Sequence, residues 1–241
     1  MKPRHDHERA DQTRGRILRA AVRQFSQHGL AGARIDAIAH EAGVNKALLY
    51  YYFRDKSGLY NAALEDASSY VMASATAALD AGASAGESLL HFTLNHFDRM
   101  ASQHEFQGLL QHEMVRIQRG ESRALPVFAR SVFAPLFKRT ETIIREGIRA
   151  GELCQVDPLQ IMYSALGANV FYFLSAPMMR LALPFEPLDA RSLKLRRKAA
   201  IEFLGKAIFR DRSHGDMLAQ RVLADVPEPT FKNFPLGRKC S

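Results

Sequence analysis

The sequence predicts an all-α fold in which a small N-terminal three-helix domain is linked by a longer helix to a larger helical domain. Three observations predict it. Apolar residues recur at steps of three and four through most of the chain, no segment alternates polar and apolar as a half-buried strand does, and Pro, Gly or Asp stands at most joints between the periodic segments. The 241 residues suffice for one large domain or for one small and one medium domain.

Over residues 13–27, Ile17, Leu18, Ala21, Val22 and Phe25 form one helical stripe, with Arg16, Arg19 and Arg23 off it, and Gly29 reads as the stop. A short helix over 36–42 places Ile35, Ile38, Ala39 and Ala42 on one side, and Gly43 closes it. Asn45 is a good N-cap for a third helix, in which Leu49 and Phe53 lie one turn apart and face inward while Lys46, Ala47, Tyr50 and Tyr51 point outward. Asp55 caps a fourth, which continues to about residue 80 through Leu59, Ala63, Ala67 and Val71. The small-residue run at 81–86 breaks the chain, and further helices are expected over 87–103, 105–118, 126–150, 158–183, 190–210 and 214–224.

Composition narrows the function classes. Hydrophobic residues at 47% and charged residues at 24% match an ordinary globular chain, which argues against disordered, collagen-like or disulfide-stapled classes. No apolar run reaches the roughly 18 residues of a membrane span. The N-terminal segment mixes charges of both signs with no apolar stretch behind them, so it does not resemble a secretory signal and a cytoplasmic location is expected. Cys154 and Cys240 lie far apart without metal-binding spacing. Of the net charge of +8, residues 1–56 carry +5, from eleven Lys and Arg against six Asp and Glu. The basic end is therefore the N-terminal quarter, and a polyanion is the partner that such a charge would suit.

Two short helices joined by a tight turn on glycine form a helix-turn-helix, whose second helix enters a DNA major groove. Gly43 supplies the residue free to take positive φ, Val44 plugs the angle, and no acidic residue stands between Val44 and Arg54. The run Ile38-Ala39, Ala42-Gly43-Val44 and Leu49-Tyr50-Tyr51-Tyr52-Phe53, followed by Lys56 and Leu59, resembles the N-terminal domain of TetR-family transcriptional regulators over about residues 13–64. The resemblance covers a quarter of the chain. It implies a homodimer with an N-terminal DNA-reading domain at 13–60, its helix-turn-helix at about 34–53, and a C-terminal effector-binding and dimerisation domain at 61–226. Residues 1–12 are expected to be a flexible basic arm and 227–241, with Pro235, Arg238 and Lys239, a flexible tail.

By position in the resemblance, Asn45, Lys46 and Ala47 open the recognition helix, Tyr50 and Tyr52 match aromatic positions that touch the DNA backbone, and Lys56 matches a phosphate-contacting lysine. Tyr51 joins them on the outward side. Tyr50 and Tyr52 serve either contact or packing. Leu48 either meets a thymine methyl or packs. Arg34 stands where relatives carry a capping Thr; it cannot accept a capping hydrogen bond but can reach a phosphate, and Asp36 is left as the alternative cap.

In the larger part, the resemblance places a small-molecule effector among aromatic, Met and polar residues of the middle helices. The candidates are Phe92, His96, Met100, Phe106, His112, Glu113, Arg116, Phe133, Phe137, Asn169 and Tyr172. Arg116 or His112 would suit an anionic or hydrogen-bonding effector, and ion pairing of Arg116 with Glu113 is the plainer alternative. Ile161, Ala165, Ala168 and Tyr172, with Ala200, Leu204, Ala207 and Ile208, form small-residue stripes expected to pack either against a second copy or within the chain. His91 and His96 are five apart and His104 and His112 eight apart, so neither pair has the i, i+4 spacing of a helical metal site. No metal or cofactor is expected. Without a P-loop, GxGxxG or nucleophile elbow, the sequence offers no catalytic motif. The reading is a sequence-specific DNA-binding repressor released from a palindromic operator by a small molecule. The rivals are a helical small-molecule-binding protein or enzyme with the basic domain as scaffold, and a non-specific DNA-coating protein.

Overall fold

The computed structural model describes residues 3–122 and 124–231. Cys240, Pro235, Arg238 and Lys239 lie outside the described residues. Among those described, the chain is helical throughout: α1 (Pro3–Gly32), α2 (Ile35–Ala42), α3 (Lys46–Phe53), α4 (Lys56–Asp80), α5 (Ala85–Ser102), α6 (His104–Gln118), α7 (Ala124–Phe128), a π-turn (Ala129–Phe133), α8 (Ala134–Arg149), α9 (Pro158–Ala182), α10 (Ala190–Ile208) and α11 (Arg212–Asp225). No described helix is long and apolar enough to cross a membrane. Two compact units emerge, Met1–Met72 with Glu105–Ala134, and Ala73–His104 with Pro135–Ser241.

This division differs from the break expected at 81–86. The first unit closes with a segment from much later in the chain, because Leu109 of α6 is fully buried in the same core as Ile17, Leu18 and Phe25 of α1, Ile38 of α2, Leu49 and Phe53 of α3, and Leu59 and Tyr60 of α4. Phe25 and Tyr60 meet edge to face at 4.9 Å, a geometry that adds about 1 kcal/mol to their burial. The stripe predicts a start for α1 at residue 13, whereas the helix runs from Pro3. A polar segment without a stripe gives no periodic signal, yet it extends a helix already nucleated downstream. Gly29 kinks the C-terminal end.

A single helix is expected over 126–150, but the structure divides it. Pro135 has no N–H to give the Ser131 carbonyl, and its ring would crowd that oxygen. The turn before it widens, with Ala134 N–H bonding to the Ala129 carbonyl, and the π-turn absorbs the proline.

In the second unit, α5 begins with a capping box: Ser84 Oγ accepts from Glu87 N–H, and the Glu87 carboxylate reaches back to Ala83 N–H at 2.8 Å. Asp157, Asp189 and Asp211 cap α9, α10 and α11. Leu90 and Leu94 of α5, Ile144 of α8, Met162 of α9, Ile201 and Ile208 of α10 and Leu218 and Val222 of α11 share one core. Helices α10 and α11 touch backbone to backbone, since a methyl at Gly215 would overlap the Gly205 carbonyl oxygen.

Candidate functional site

The helix-turn-helix is built from α2 and α3. Gly43 ends α2 in the left-handed region (φ 65°, ψ 40°), and Val44 N–H returns to the Ala39 carbonyl at 3.0 Å. Asn45 then caps α3, its side-chain oxygen accepting from Leu48 N–H at 2.7 Å. This fixes the helix in register. Leu49 and Phe53 point into the core, so Asn45, Lys46, Ala47, Tyr50 and Tyr51 are left exposed, with Tyr51 at 80% the most open. Leu48 is half-buried.

Three of the expected contact residues carry partners within the chain. Lys46 pairs with Asp36 at 3.0 Å, and Asp36 lies within the first turn of α2, where Arg34 holds the cap position. Tyr52 turns back on α1, donating its hydroxyl to the Ala10 carbonyl at 3.4 Å, which places the ring in packing rather than on the open side. Lys56 Nζ donates to the Ala31 carbonyl at 2.9 Å, leaving two N–H donors of the ammonium unused by that bond. Arg34 sits at the N-cap of α2 without a capping bond, exposed.

The structure adds a groove along α1 lined by Arg9, Asp11, Gln12, Thr13, Gly15, Arg16 and Arg19, three cations to one acid. Arg16 and Arg19, like Arg34, have no carboxylate partner among the described residues, and a methyl placed on Gly43 would lie 4.0 Å from the Arg16 guanidinium. Seven- and three-residue spacing put Arg9, Arg16 and Arg19 on one helical side, a signal present in the sequence once the helix is known to extend upstream.

The expected effector residues are divided between the two units. Phe106, His112, Glu113, Arg116 and Phe133 belong to the first unit, and Phe92, His96, Met100, Phe137, Asn169 and Tyr172 to the second. In the first, Glu113 is fully buried, paired with Arg116 at 2.5 Å and hydrogen-bonded by Ser122, while the Arg116 guanidinium lies 5.4 Å over the Tyr60 ring. The His112 ring lies beside the Gly29 kink. Phe106 stacks tilted on Phe128, and Phe133 is about half exposed. These groups fasten α6 to α1 and α4, so the Glu113–Arg116 pairing is a buried structural one rather than a surface one.

In the second unit, Asn169 is buried, its amide donating to the Thr93 carbonyl at 3.2 Å and facing His96 Nδ1 at 3.4 Å. Its side-chain oxygen has no partner. Burial, with the Arg99 charge adding to it, pushes the His96 pKa down to about 3. Phe92 packs with Ala75 and Leu79, Phe137 against the main core, and Met100 and Tyr172 with Phe97, Phe173 and Leu193. Because a proton bound by unfolded His96 near the ordinary 6.5 is refused by the folded chain, stability is full above about pH 6.5 and falls as pH drops toward 3. His96→Gln is expected to flatten that fall by up to about 1.4 kcal/mol per pH unit, measured by urea unfolding between pH 6 and pH 4. Equal slopes in both proteins would refute it.

Family models match both parts of the chain. Residues 17–63 match bacterial regulatory proteins of the tetR family, and residues 86–204 match the tetracyclin repressor-like C-terminal domain. The chain belongs to the TetR family. Over 53 residues it is 53% identical to the HTH-type transcriptional repressor SCO4008 of Streptomyces coelicolor, covering 22% of this chain and 28% of that protein. It is 45% identical over 58 residues to the HTH-type transcriptional repressor NicS of Pseudomonas putida, covering 24% and 27%. This TetR-family chain thus spans little more than a quarter of the curated relatives it matches. Among solved structures, a putative transcriptional regulator of Saccharomonospora viridis in complex with choline superposes with a TM-score of 0.66 at 17% identity, over 83% of this chain and 100% of that one. A putative transcriptional regulator of Streptomyces coelicolor, SCO4942, superposes at 0.60 with 26% identity, over 83% and 99%.

The stripes expected at a dimer interface of this TetR-family chain lie mostly on the inner side of their helices. Leu204 and Ile208 are buried in the chain's own core, with Ile161 and Ala165 packed against it; Ala200 is buried too, and Tyr172 lies against a second cluster. Ala168 and Ala207 alone are exposed. Left uncovered are Tyr163, Phe171, Leu174 and Met178 of α9 and Leu195 and Phe203 of α10, Phe203 at 72%. Helix α9 is apolar nearly all round, so periodicity finds a stripe without saying which side meets its own chain.

Proposed function

We propose that the protein is a homodimeric, sequence-specific DNA-binding repressor of the cytoplasm, released from a palindromic operator by a small molecule, and that it binds rather than catalyses. The observation that carries the reading is the exposed side of α3. Asn45, Lys46, Ala47, Tyr50 and Tyr51 stand clear of the core on a helix held in register by Gly43 and Asn45, with no carboxylate between Val44 and Arg54 to repel phosphate. Arg34, Lys56 and the α1 arginines supply cations for the flanking backbone.

The apolar side of α9 and α10 is where a second copy would sit, giving two reading helices to meet major grooves about 34–36 Å apart. An effector held more tightly by the form with the wrong spacing would release the operator, and α4 is the helix that runs through both units.

The test is selection of tight binders from random duplex DNA at near-physiological salt, where phosphate attraction alone is weakened. A palindrome is expected, and no enrichment by folded protein would overturn the reading. On the selected duplex, Lys56→Ala is expected to weaken binding for every sequence alike and to reduce the salt slope by about one. An unchanged slope would assign Lys56 to its Ala31 bond alone.

A further inference from the structure

The segment after α11 lies beyond the part of the chain matched by the family models, which end at residue 204. It leaves α11 through Val226 in extended backbone, has no regular structure over 227–231, and is held at two points along α10. Arg197, only 4% exposed, makes a two-pronged pair with Asp98 at 2.8 and 3.0 Å and also donates to the Val226 carbonyl at 3.1 Å. Lys194 pairs with Glu228 at 2.6 Å. Pro227 and Pro229 stiffen what lies between. The flexible tail expected from Pro227 is therefore pinned over its first residues, and the pinned strap ends by laying Phe231 on the cluster of Phe97, Met100, Ala101, Phe173 and Leu193, rimmed by Tyr172 and Leu188.

That cluster has a cation at its edge. Arg196 places its guanidinium 5.5 Å over the Tyr172 ring and gives Nη2 to the Ala168 carbonyl, while its Nε is buried without a hydrogen-bond partner. No carboxylate among the described residues pairs with it, and burial lowers its pKa. A half-desolvated guanidinium with a spare donor is a costly group unless an anion meets it. The chain supplies the ring for this cluster but no acid for its arginine.

We infer that the cluster between α5, α9 and α10 is a binding site for a small aromatic carboxylate, in which Phe231 sits as an internal competitor and Arg196 waits for the acid group. The ligand's ring takes the seat of Phe231 and its carboxylate meets Arg196 across Tyr172. The inference deepens the reading that the second unit takes an effector and rests on it for the consequence at DNA, but not for the binding itself. Because the ligand must first lift the strap, its apparent affinity is its intrinsic affinity reduced by the fraction of chains with the strap open.

The probe is salicylate, titrated against the full chain by its own fluorescence. Phe231→Ala is expected to tighten binding by about tenfold, the factor for a strap open in one chain in ten, at one salicylate per chain. Glu228→Lys, which loosens the strap without touching the cluster, is expected to tighten it less. Arg196→Gln added to Phe231→Ala should return the affinity to the original level or below, while benzyl alcohol should bind both forms alike. Thermal unfolding confirms that each variant is folded; if Phe231→Ala is not, Glu228→Lys decides. Salicylate affinity indifferent to the strap, or to Arg196 once the strap is open, would overturn the proposal. If salicylate binds as expected yet leaves affinity for the selected duplex unchanged, the site stands and the effector reading fails.

Discussion

Phe203→Glu is expected to turn the proposed dimer into a monomer that is still folded, and to lower affinity for the selected duplex by a factor on the order of 10²–10⁴, the gain that linking two binding modules provides. Phe203 is 72% exposed on α10 and lies outside every core cluster of its own chain. A carboxylate there costs the isolated chain little, but buried against the apolar residues of a second copy it would be an unpaired charge. Light scattering reads the mass and a binding titration the affinity. Leu204→Glu, one residue on and buried in the main core, should instead prevent folding. A Phe203→Glu protein that remained a full-affinity dimer would remove this side of α9 and α10 from the interface.

The second large effect concerns stability. Gly215→Ala is expected to cost more than about 3 kcal/mol, the upper end for overpacking a tight core and a large share of the roughly 5–15 kcal/mol that holds a domain folded. The added methyl would overlap the Gly205 carbonyl oxygen and come within 2.8 Å of the Phe209 ring. The obstructing atom is backbone within a helix, so no rotamer change makes room; α10 and α11 must part. Gly15→Ala is the contrast, since its methyl meets only the end of Arg19 at 3.4 Å and should gain about 0.5–1 kcal/mol from helix propensity. Urea midpoints measure both, and a Gly215→Ala midpoint at the original value would show that the two helices are less closely held.

The local part of this fold was legible in the sequence because its signals are local. Gly43 and Asn45 mark the turn with their own conformational and capping chemistry, and the Leu49–Phe53 spacing orients α3 without knowledge of anything beyond it. The capping box at Ser84 and Glu87 is a local signal too, and it sets the start of α5 at Ala85 rather than at the expected residue 87. What could not be read was which partner each apolar side meets. Leu109 and Glu113 gave a helix but not its attachment to the first unit, and Ile161 and Leu204 gave stripes but not their inward direction. Lys56 shows a further limit. Its position predicts a phosphate contact, and only coordinates reveal the Ala31 carbonyl that also claims its ammonium. The π-turn is a different case, for Pro135 stands inside the helix expected unbroken over 126–150, a local signal that the expectation did not use.

The composition of the first unit from two separated segments sets an order of events on the ribosome. Helix α3 has been made by residue 53, but the core that holds it lacks Leu109 and the unit lacks the whole of α6 until synthesis nears residue 134 of 241. At about 5–20 residues per second, the interval between residues 72 and 134 lasts roughly 3–12 s. Throughout it the emerging chain carries the side chains that α3 exposes on an unfinished scaffold, with the place of Leu109 in the core of Phe25 and Tyr60 unfilled. The first unit is begun early and completed late, so the packing of α3 waits on a segment from the middle of the sequence.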